Sequence, residues 1–133
     1  MSDPGTRPLV LLAEDEPVIS IDLQAALEEA GFAVRLAPDG AQALALIETE
    51  GEAIRALVTD VNLGRGPNGW DVAHAGRERN PGLGVVYVTS ADSSEWAANG
   101  VPNSVFVSKP FANAQIVVAV SELLNAEASP QAG

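Results

Sequence analysis

The residues of this chain best suited to chemistry are a few acids, one threonine and one lysine, each lying at or just past the end of an apolar segment. Asp15, Asp60, Thr89 and Lys109 occupy these positions, and Lys109 is the only lysine among 133 residues. Carboxylate oxygens suit Mg²⁺, which usually takes one or two of them together with waters and a phosphate oxygen. Acids, a hydroxyl and an ammonium in one pocket would therefore indicate a divalent metal and a phosphoryl group.

These positions meet only if the apolar segments form a parallel sheet. Segments rich in β-branched or aliphatic residues alternate five times with segments of helical period, which is typical of an α/β fold with helices on both faces. We predict strands over 8–13, 33–37, 56–60, 84–89 and 104–108. Ligands bind outside the carboxyl ends of such strands, so the four polar positions should converge there.

Capping and breaking residues predict the helices between these strands. The first should run from Pro17 to the residue before Gly31, since proline favours the first helical turn and glycine the position past the end. The others are expected over 40–50, 70–79, 93–98 and 113–126. The fourth should be short or irregular, because a breaker at 99–102 follows it closely.

Length and composition favour a single domain. A chain of 133 residues with 47% hydrophobic content supplies one core. We expect the domain to span 8–126, with disordered ends at 1–7 and 127–133. The absence of cysteine removes disulfides and thiolate metal sites and fits a cytoplasmic setting.

Charge and hydropathy argue against two classes of partner. The net charge is −11 and the basic residues form no cationic stripe, so we expect no nucleic-acid binding. No apolar segment approaches the roughly 18 residues that a membrane span needs, so a soluble, non-exported protein without membrane association is expected.

The metal ligands are predicted from the acids at the strand ends. Asp15 and Asp60 are the expected pair, with the backbone carbonyl of Asn62 as a third contact and Glu14 assisting through a water. Without a cation these carboxylates would repel one another and raise at least one pKa. Glu16 is interpreted only as a favourable charge at a helix N-terminus.

One of these acids could also be a nucleophile, because aspartate can attack a phosphoryl group and form an acyl phosphate. Asp60 is the candidate, with Lys109 neutralising the phosphoryl oxygens and the hydroxyl of Thr89 donating to one of them. The Lys109–Pro110 bond could be cis at modest cost, which would turn the ammonium toward the pocket.

Four motifs together resemble those of the response regulator receiver domain. They are LLAEDE at 11–16, VTDVNL at 58–63, VYVTSA at 86–91 and SKPF at 108–111, in the family's order and approximate spacing. The resemblance covers about residues 8–126. It implies a CheY-like, doubly wound five-stranded parallel sheet with strand order 2-1-3-4-5. The loop 63–69 departs from the family pattern, being about one residue longer than is common.

The same resemblance implies a function. Asp60 would accept a phosphoryl group from a phosphohistidine of a sensor histidine kinase or a histidine phosphotransfer protein, with Mg²⁺ as cofactor. Phe106 holds the place of the aromatic residue that changes rotamer as the threonine moves inward. The expected role is that of a stand-alone phosphoacceptor that signals by this switch to an unknown protein partner, or acts as a phosphate shuttle or sink.

Two rival functions stay open. A degenerate receiver would bind partners without phosphorylation, although the intact acids, threonine and lysine argue against it. A phosphatase of the haloacid dehalogenase type also uses aspartate and magnesium, but that family needs a second aspartate where this chain has Asn62.

The remaining conspicuous side chains receive simpler interpretations. Val18, Ile21 and Ala25 form a second apolar stripe on the first helix, which we predict to dock the helix that carries the kinase histidine. His74 is interpreted as an ordinary helix residue. Trp70 and Trp96 are interpreted as packing residues.

Overall fold

The computed structural model describes residues 7–90 and 93–128. Within these ranges, strands and helices alternate along the whole chain. The strands are β1 Leu9–Ala13, β2 Ala33–Ala37, β3 Ile54–Asp60, β4 Gly84–Thr89 and β5 Val105–Ser108. The helices are α1 Pro17–Glu29, α2 Gly40–Glu50, α3 Gly69–Arg79, α4 Ser93–Asn99 and α5 Asn113–Ala128.

The strands form one parallel sheet in the order β2-β1-β3-β4-β5, which confirms the predicted doubly wound topology. β3 begins at Ile54, two residues earlier than predicted, because Ile54 pairs with Leu9 of β1 across a register shift. The central strands β1, β3 and β4 are almost wholly buried, as expected of a sheet covered on both faces.

Two apolar cores lie on opposite faces of the sheet. One is formed with α2 and α3, and Trp96 of α4 packs against it. The other is formed with α1 and α5, where Leu23 and Leu27 oppose Ile116 and Val120. β1, β3 and β4 supply alternate residues to the two cores, which leaves the carboxyl edge of the sheet to carry polar groups.

The loop between β3 and α3 is set by three glycines. Gly64 and Gly66 have φ angles of 79° and 88°, a conformation that side chains rarely adopt. Gly69 lies so close to the backbone of Asp60 that a Cβ atom would collide with the Asp60 carbonyl. Asn68 caps α3 in a reciprocal capping box with Asp71, which fixes where the loop ends.

The ends of some elements differ from the prediction. α3 starts one residue early, at Gly69, and α4 is a seven-residue helix without a buried residue. α5 continues to Ala128, so it takes in the first two residues of the predicted tail. The rest of the predicted disordered ends, 1–6 and 129–133, lies outside the described residues. Over the described ranges, none of the helices has the length and apolar character required to cross a bilayer.

Candidate functional site

The sheet brings the predicted site residues together at its carboxyl edge. Asp60 is the last residue of β3, and its neighbour Thr59 pairs with Ala13, after which Glu14 and Asp15 follow. On the other side, Thr89 pairs with Ser108 at the end of β5. The backbone N–H of Lys109 donates to the carbonyl of Thr89 at 3.0 Å. Strand register therefore positions all four elements of the site.

Three carboxylates form a compact cluster. Glu14, Asp15 and Asp60 each offer an oxygen, and these oxygens lie within 4.8 Å of one another. Glu14 and Asp60 are buried, whereas Asp15 is exposed. One oxygen of Asp60, Oδ1, accepts a hydrogen bond of 3.0 Å from the backbone N–H of Asn62. The second oxygen, Oδ2, faces Lys109.

The ammonium of Lys109 is the cation of this cluster. Its Nζ lies 2.8 Å from Oδ2 of Asp60, 3.2 Å from Oε1 of Glu16 and 3.7 Å from Oε1 of Glu14. The Lys109–Pro110 peptide bond is cis, as the sequence allowed. The predicted convergence of lysine and aspartate is confirmed.

Burial and charge shift the ionisation of two groups here. Burial raises the pKa of Glu14 to about 7, and the neighbouring charges of Asp60 and Asp15 add to the rise. The N–H of Glu16, the largest influence after burial, and the ammonium of Lys109 lower the same pKa but do not outweigh burial. For Lys109, burial works to lower the pKa, but hydrogen bonding to Asp60 and the charges of Asp60 and Glu14 outweigh it and raise the pKa above its usual value.

The donor set fits a hard divalent cation. It consists of carboxylate oxygens alone, and one of them belongs to a carboxylate whose ionised form is disfavoured by burial and by like charges. A bound cation would reverse that penalty, because it favours the charged form of every ligand. Glu14, Asp15 and Asp60 therefore match the oxygen preference of Mg²⁺. The predicted carbonyl contact from Asn62 stays a prediction.

Phe106 of β5 and Trp96 of α4 stack on each other. Phe106 is half-buried in β5, next to Tyr87 in the strand register, and its ring stacks on Trp96 with centroids 5.7 Å apart. Trp70 packs on Tyr87 at 4.7 Å, so both tryptophans are packing residues, as predicted. His74 is exposed on α3, and its Nε2 atom lies 3.1 Å from the carbonyl oxygen of Asn99.

Sequence reasoning missed the contacts that Glu16 makes with the site. Interpreted as a helix-terminus charge only, it instead forms an ion pair with Lys109 at 3.2 Å, and its N–H donates to Oε2 of Glu14 at 3.1 Å. One signal could have found it. In a chain with a single lysine, every acid next to the pocket competes for that lysine.

The predicted docking stripe is exposed. Val18 and Ile21 retain 78% and 63% of their accessible surface, and Ala25 is also exposed. A groove of about 410 Å³ runs beside this stripe, between α1 and the β5–α5 loop. Its lining includes Val18, Lys109 and Phe111, so apolar side chains and the lysine of the site line the same groove.

The family follows from comparison with known proteins. Residues 10–121 match the model of the response regulator receiver domain. The chain belongs to this family. Receiver domains function in two-component signalling, and phosphorylation on an aspartate and use of Mg²⁺ are general features of the family.

Relatives of this receiver domain occur in several bacteria. It is 33% identical over 122 residues to the probable transcriptional regulatory protein TcrX of Mycobacterium tuberculosis, covering 90% of this chain and 51% of TcrX. A segment of the sensor kinase CckA of Brucella abortus is 28% identical, over 86% of this chain and 12% of the kinase. The receiver domain thus spans about half the length of TcrX and a small part of CckA.

Solved structures agree on the fold. A response regulator receiver protein from Sinorhizobium medicae superposes with a TM-score of 0.86 at 41% identity, covering 91% of this chain and 97% of that one. The strand order and the alternation of helices match this flavodoxin-like, CheY-like architecture.

Proposed function

We propose that this receiver domain accepts a phosphoryl group on Asp60 from the phosphohistidine of a sensor histidine kinase or a histidine phosphotransfer protein. The observation that carries the proposal is the 2.8 Å contact between Nζ of Lys109 and Oδ2 of Asp60 beside two further carboxylates. A buried aspartate with a cation on one side and a metal-type acid cluster on the other is suited to hold an acyl phosphate.

In the transfer, an Asp60 carboxylate oxygen attacks phosphorus, and the new P–O bond forms as the P–N bond to the donor imidazole breaks. The imidazole nitrogen keeps the electron pair of the broken bond and takes a proton from solvent. The ammonium of Lys109 stabilises negative charge on the phosphoryl oxygens, and the Thr89 hydroxyl donates to one of them in the product. The N–H of Asn62 holds Oδ1 of Asp60, which orients the nucleophile.

Mg²⁺, when bound, would neutralise charge on the phosphoryl oxygens and allow the dianion to approach an acidic pocket. Asp15 and Asp60 are the proposed direct ligands, with the Asn62 carbonyl as a third protein contact and Glu14 acting through a water. The oxygen-only cluster and the raised pKa of Glu14 support this assignment.

Phosphorylation would be communicated through Thr89 and Phe106. The added charge draws the Thr89 hydroxyl toward the phosphoryl group, and Phe106 turns into the space that this side chain leaves. Because Phe106 is half-buried and stacks on Trp96, its rotation would change how α4 and β5 pack. The downstream partner would recognise that changed surface.

The phosphodonor would dock on α1. Val18, Ile21 and Ala25 are exposed apolar residues beside the groove that leads to Lys109, a suitable seat for a helix that carries the phosphohistidine. The absence of cysteine and the −11 net charge support a cytoplasmic protein that signals to another protein without contacting nucleic acid or membrane.

Intact-mass measurement after incubation with Mg²⁺ and acetyl phosphate tests the proposal. Wild type should gain the mass of one phosphoryl group, and Asp60→Asn should gain none because the amide cannot form the acyl phosphate. Asp22→Asn, an exposed acid on α1, is the matched control and should gain mass like wild type. An unmodified wild type would contradict the proposal and favour the rival in which the domain binds partners without phosphorylation.

A further inference from the structure

Glu16 contacts the site at two points but has no assigned part in it. Its Oε1 lies 3.2 Å from Nζ of Lys109, and its backbone N–H donates to Oε2 of Glu14 at 3.1 Å. The side chain retains 59% of its accessible surface, compared with 3% for Glu14 and 8% for Asp60. Glu16 is therefore the solvent-facing member of the group of acids that share one ammonium.

The side chain of Glu16 is not used for helix capping. Glu16 is the N-cap residue of α1, where a side-chain oxygen commonly accepts from the first turn, yet no such hydrogen bond is formed. Only its carbonyl serves the helix, accepting from the N–H of Ser20 at 3.0 Å. The carboxylate is turned to Lys109 instead.

We propose that Glu16 is a positioning residue that restrains the ammonium of Lys109 and thereby slows phosphorylation of Asp60. Two of the three N–H donors of Lys109 are held in hydrogen bonds, by Asp60 at 2.8 Å and by Glu16 at 3.2 Å, and the Glu14 carboxylate lies 3.7 Å away. An incoming phosphoryl group competes with these acids for the ammonium, and it gains a donor already in use only when an acid releases it.

Glu16 is the acid that gives way at least cost. Its carboxylate is more than half exposed and returns to water when released, whereas Asp60 and Glu14 are buried. A half-exposed ion pair of this kind is weak, so its release should slow the reaction by a modest factor of about two to five. Removing the Glu16 charge should accelerate the reaction by the same factor.

This inference rests on the proposed function, and the two can fail separately. If wild type takes up no phosphoryl group, the proposed function fails; if it does and the Glu16 variants react at the wild-type rate, only the present inference fails. The rate of phosphorylation by acetyl phosphate with Mg²⁺ should rise about two- to five-fold in Glu16→Gln. Glu52→Gln, the same charge change at an exposed site before β3, should leave the rate at the wild-type value.

A second variant separates contact from charge. Glu16→Asp keeps the charge, but its shorter side chain is suited to cap α1 and so releases Lys109. It should match Glu16→Gln in rate, and a wild-type rate in Glu16→Asp would overturn the positioning role. Screening should also reduce the ratio of variant to wild-type rate as salt is added, since the pair is exposed.

The single lysine gives a direct spectroscopic readout. Labelling with ¹⁵N-lysine should produce one side-chain ammonium signal, from Lys109. That signal should shift in Glu16→Gln and in Glu16→Asp and stay in place in Glu52→Gln. An unchanged Nζ signal in Glu16→Gln, or a rate at or below wild type, would overturn the proposal.

Discussion

The ring of Phe106 in β5 lies against the indole of Trp96 in α4, with centroids 5.7 Å apart and planes inclined by 24°. The indole N–H also donates to the hydroxyl of Ser104 at 2.9 Å, which anchors Trp96 to the segment just before β5. Any rotation of Phe106 must therefore break or rebuild its contact with α4.

This stack predicts an optical signal of phosphorylation. In a Trp70→Phe background, where Trp96 is the only indole, phosphorylation should change the tryptophan emission because Phe106 leaves the stacked position. The measurement is steady-state fluorescence before and after acetyl phosphate with Mg²⁺, with Asp60→Asn in the same background as the unresponsive control. Unchanged emission together with a phosphate mass gain would contradict a switching role for Phe106.

Asp15 should be needed for magnesium binding. Asp15→Asn removes one of three carboxylates in the cluster and should weaken Mg²⁺ binding by about ten-fold or more. Isothermal titration with MgCl₂ measures the affinity, and Glu29→Gln, an exposed acid at the far end of α1, is the charge-matched control. Equal affinities in Asp15→Asn and wild type would exclude Asp15 as a ligand.

The hydroxyl of Tyr87 should contribute to stability. It accepts a buried hydrogen bond of 3.1 Å from the backbone N–H of Val101, the residue that leads from α4 toward β5. Tyr87→Phe leaves that N–H without a partner and should lower the free energy of unfolding by about 1–2 kcal/mol. Urea unfolding near neutral pH measures the free energy of unfolding of both proteins. A difference near zero between Tyr87→Phe and wild type would contradict this contribution of the hydroxyl.

The same tyrosine should make stability depend on pH in alkali. Burial raises the pKa of Tyr87, although the Val101 N–H and the charge of Arg77 oppose the rise. In the unfolded chain the phenol ionises at about pH 10. The stability that Tyr87 gains from its raised pKa is therefore complete below that pH, and it is lost as the pH rises toward the pKa of the folded state.

Wild type should therefore lose stability more steeply than Tyr87→Phe above about pH 10, and the gap between them should narrow. The raised pKa of Lys109 is common to both proteins and cancels in the comparison. Because the chain has one tyrosine, absorbance titration of the phenolate follows the group directly. Parallel stability curves in alkali would contradict the predicted shift.

The α1 stripe should matter for a protein phosphodonor but not for a small one. Ile21→Glu places a charge on the proposed docking surface and should slow phosphotransfer from a phosphorylated histidine kinase by about ten-fold or more, since interface anchors are intolerant of truncation or charge. Acetyl phosphate should react at the wild-type rate. Val118→Glu, on an equally apolar exposed position of α5, is the control, and equal slowing by both variants would argue against docking on α1.

Most of the fold was predictable because the local signals agree with one another. Pro17 and Gly31 bound the first helix, Asn80 and the proline after it end the third, and strand segments alternate with helices throughout. Once the sheet is parallel, Asp60, Thr89 and Lys109 must reach the same edge. The acid cluster and its contact with lysine could thus be inferred from the sequence.

Other features depend on tertiary contacts that no local pattern encodes. The early start of β3 at Ile54 comes from its pairing with Leu9. The turn of Glu16 toward Lys109 and the stack of Phe106 on Trp96 are products of packing. The spacing of these residues in the sequence predicts neither contact.

β5 is four residues long, lies at the border of the sheet and has no fully buried residue, and the helix before it also buries none. β1, β3 and β4, by contrast, are almost entirely enclosed. A rearrangement confined to the border would disturb few apolar contacts and leave the centre intact. The proposed phosphorylation would then alternate the domain between two surfaces without the risk of aggregation that unfolding brings.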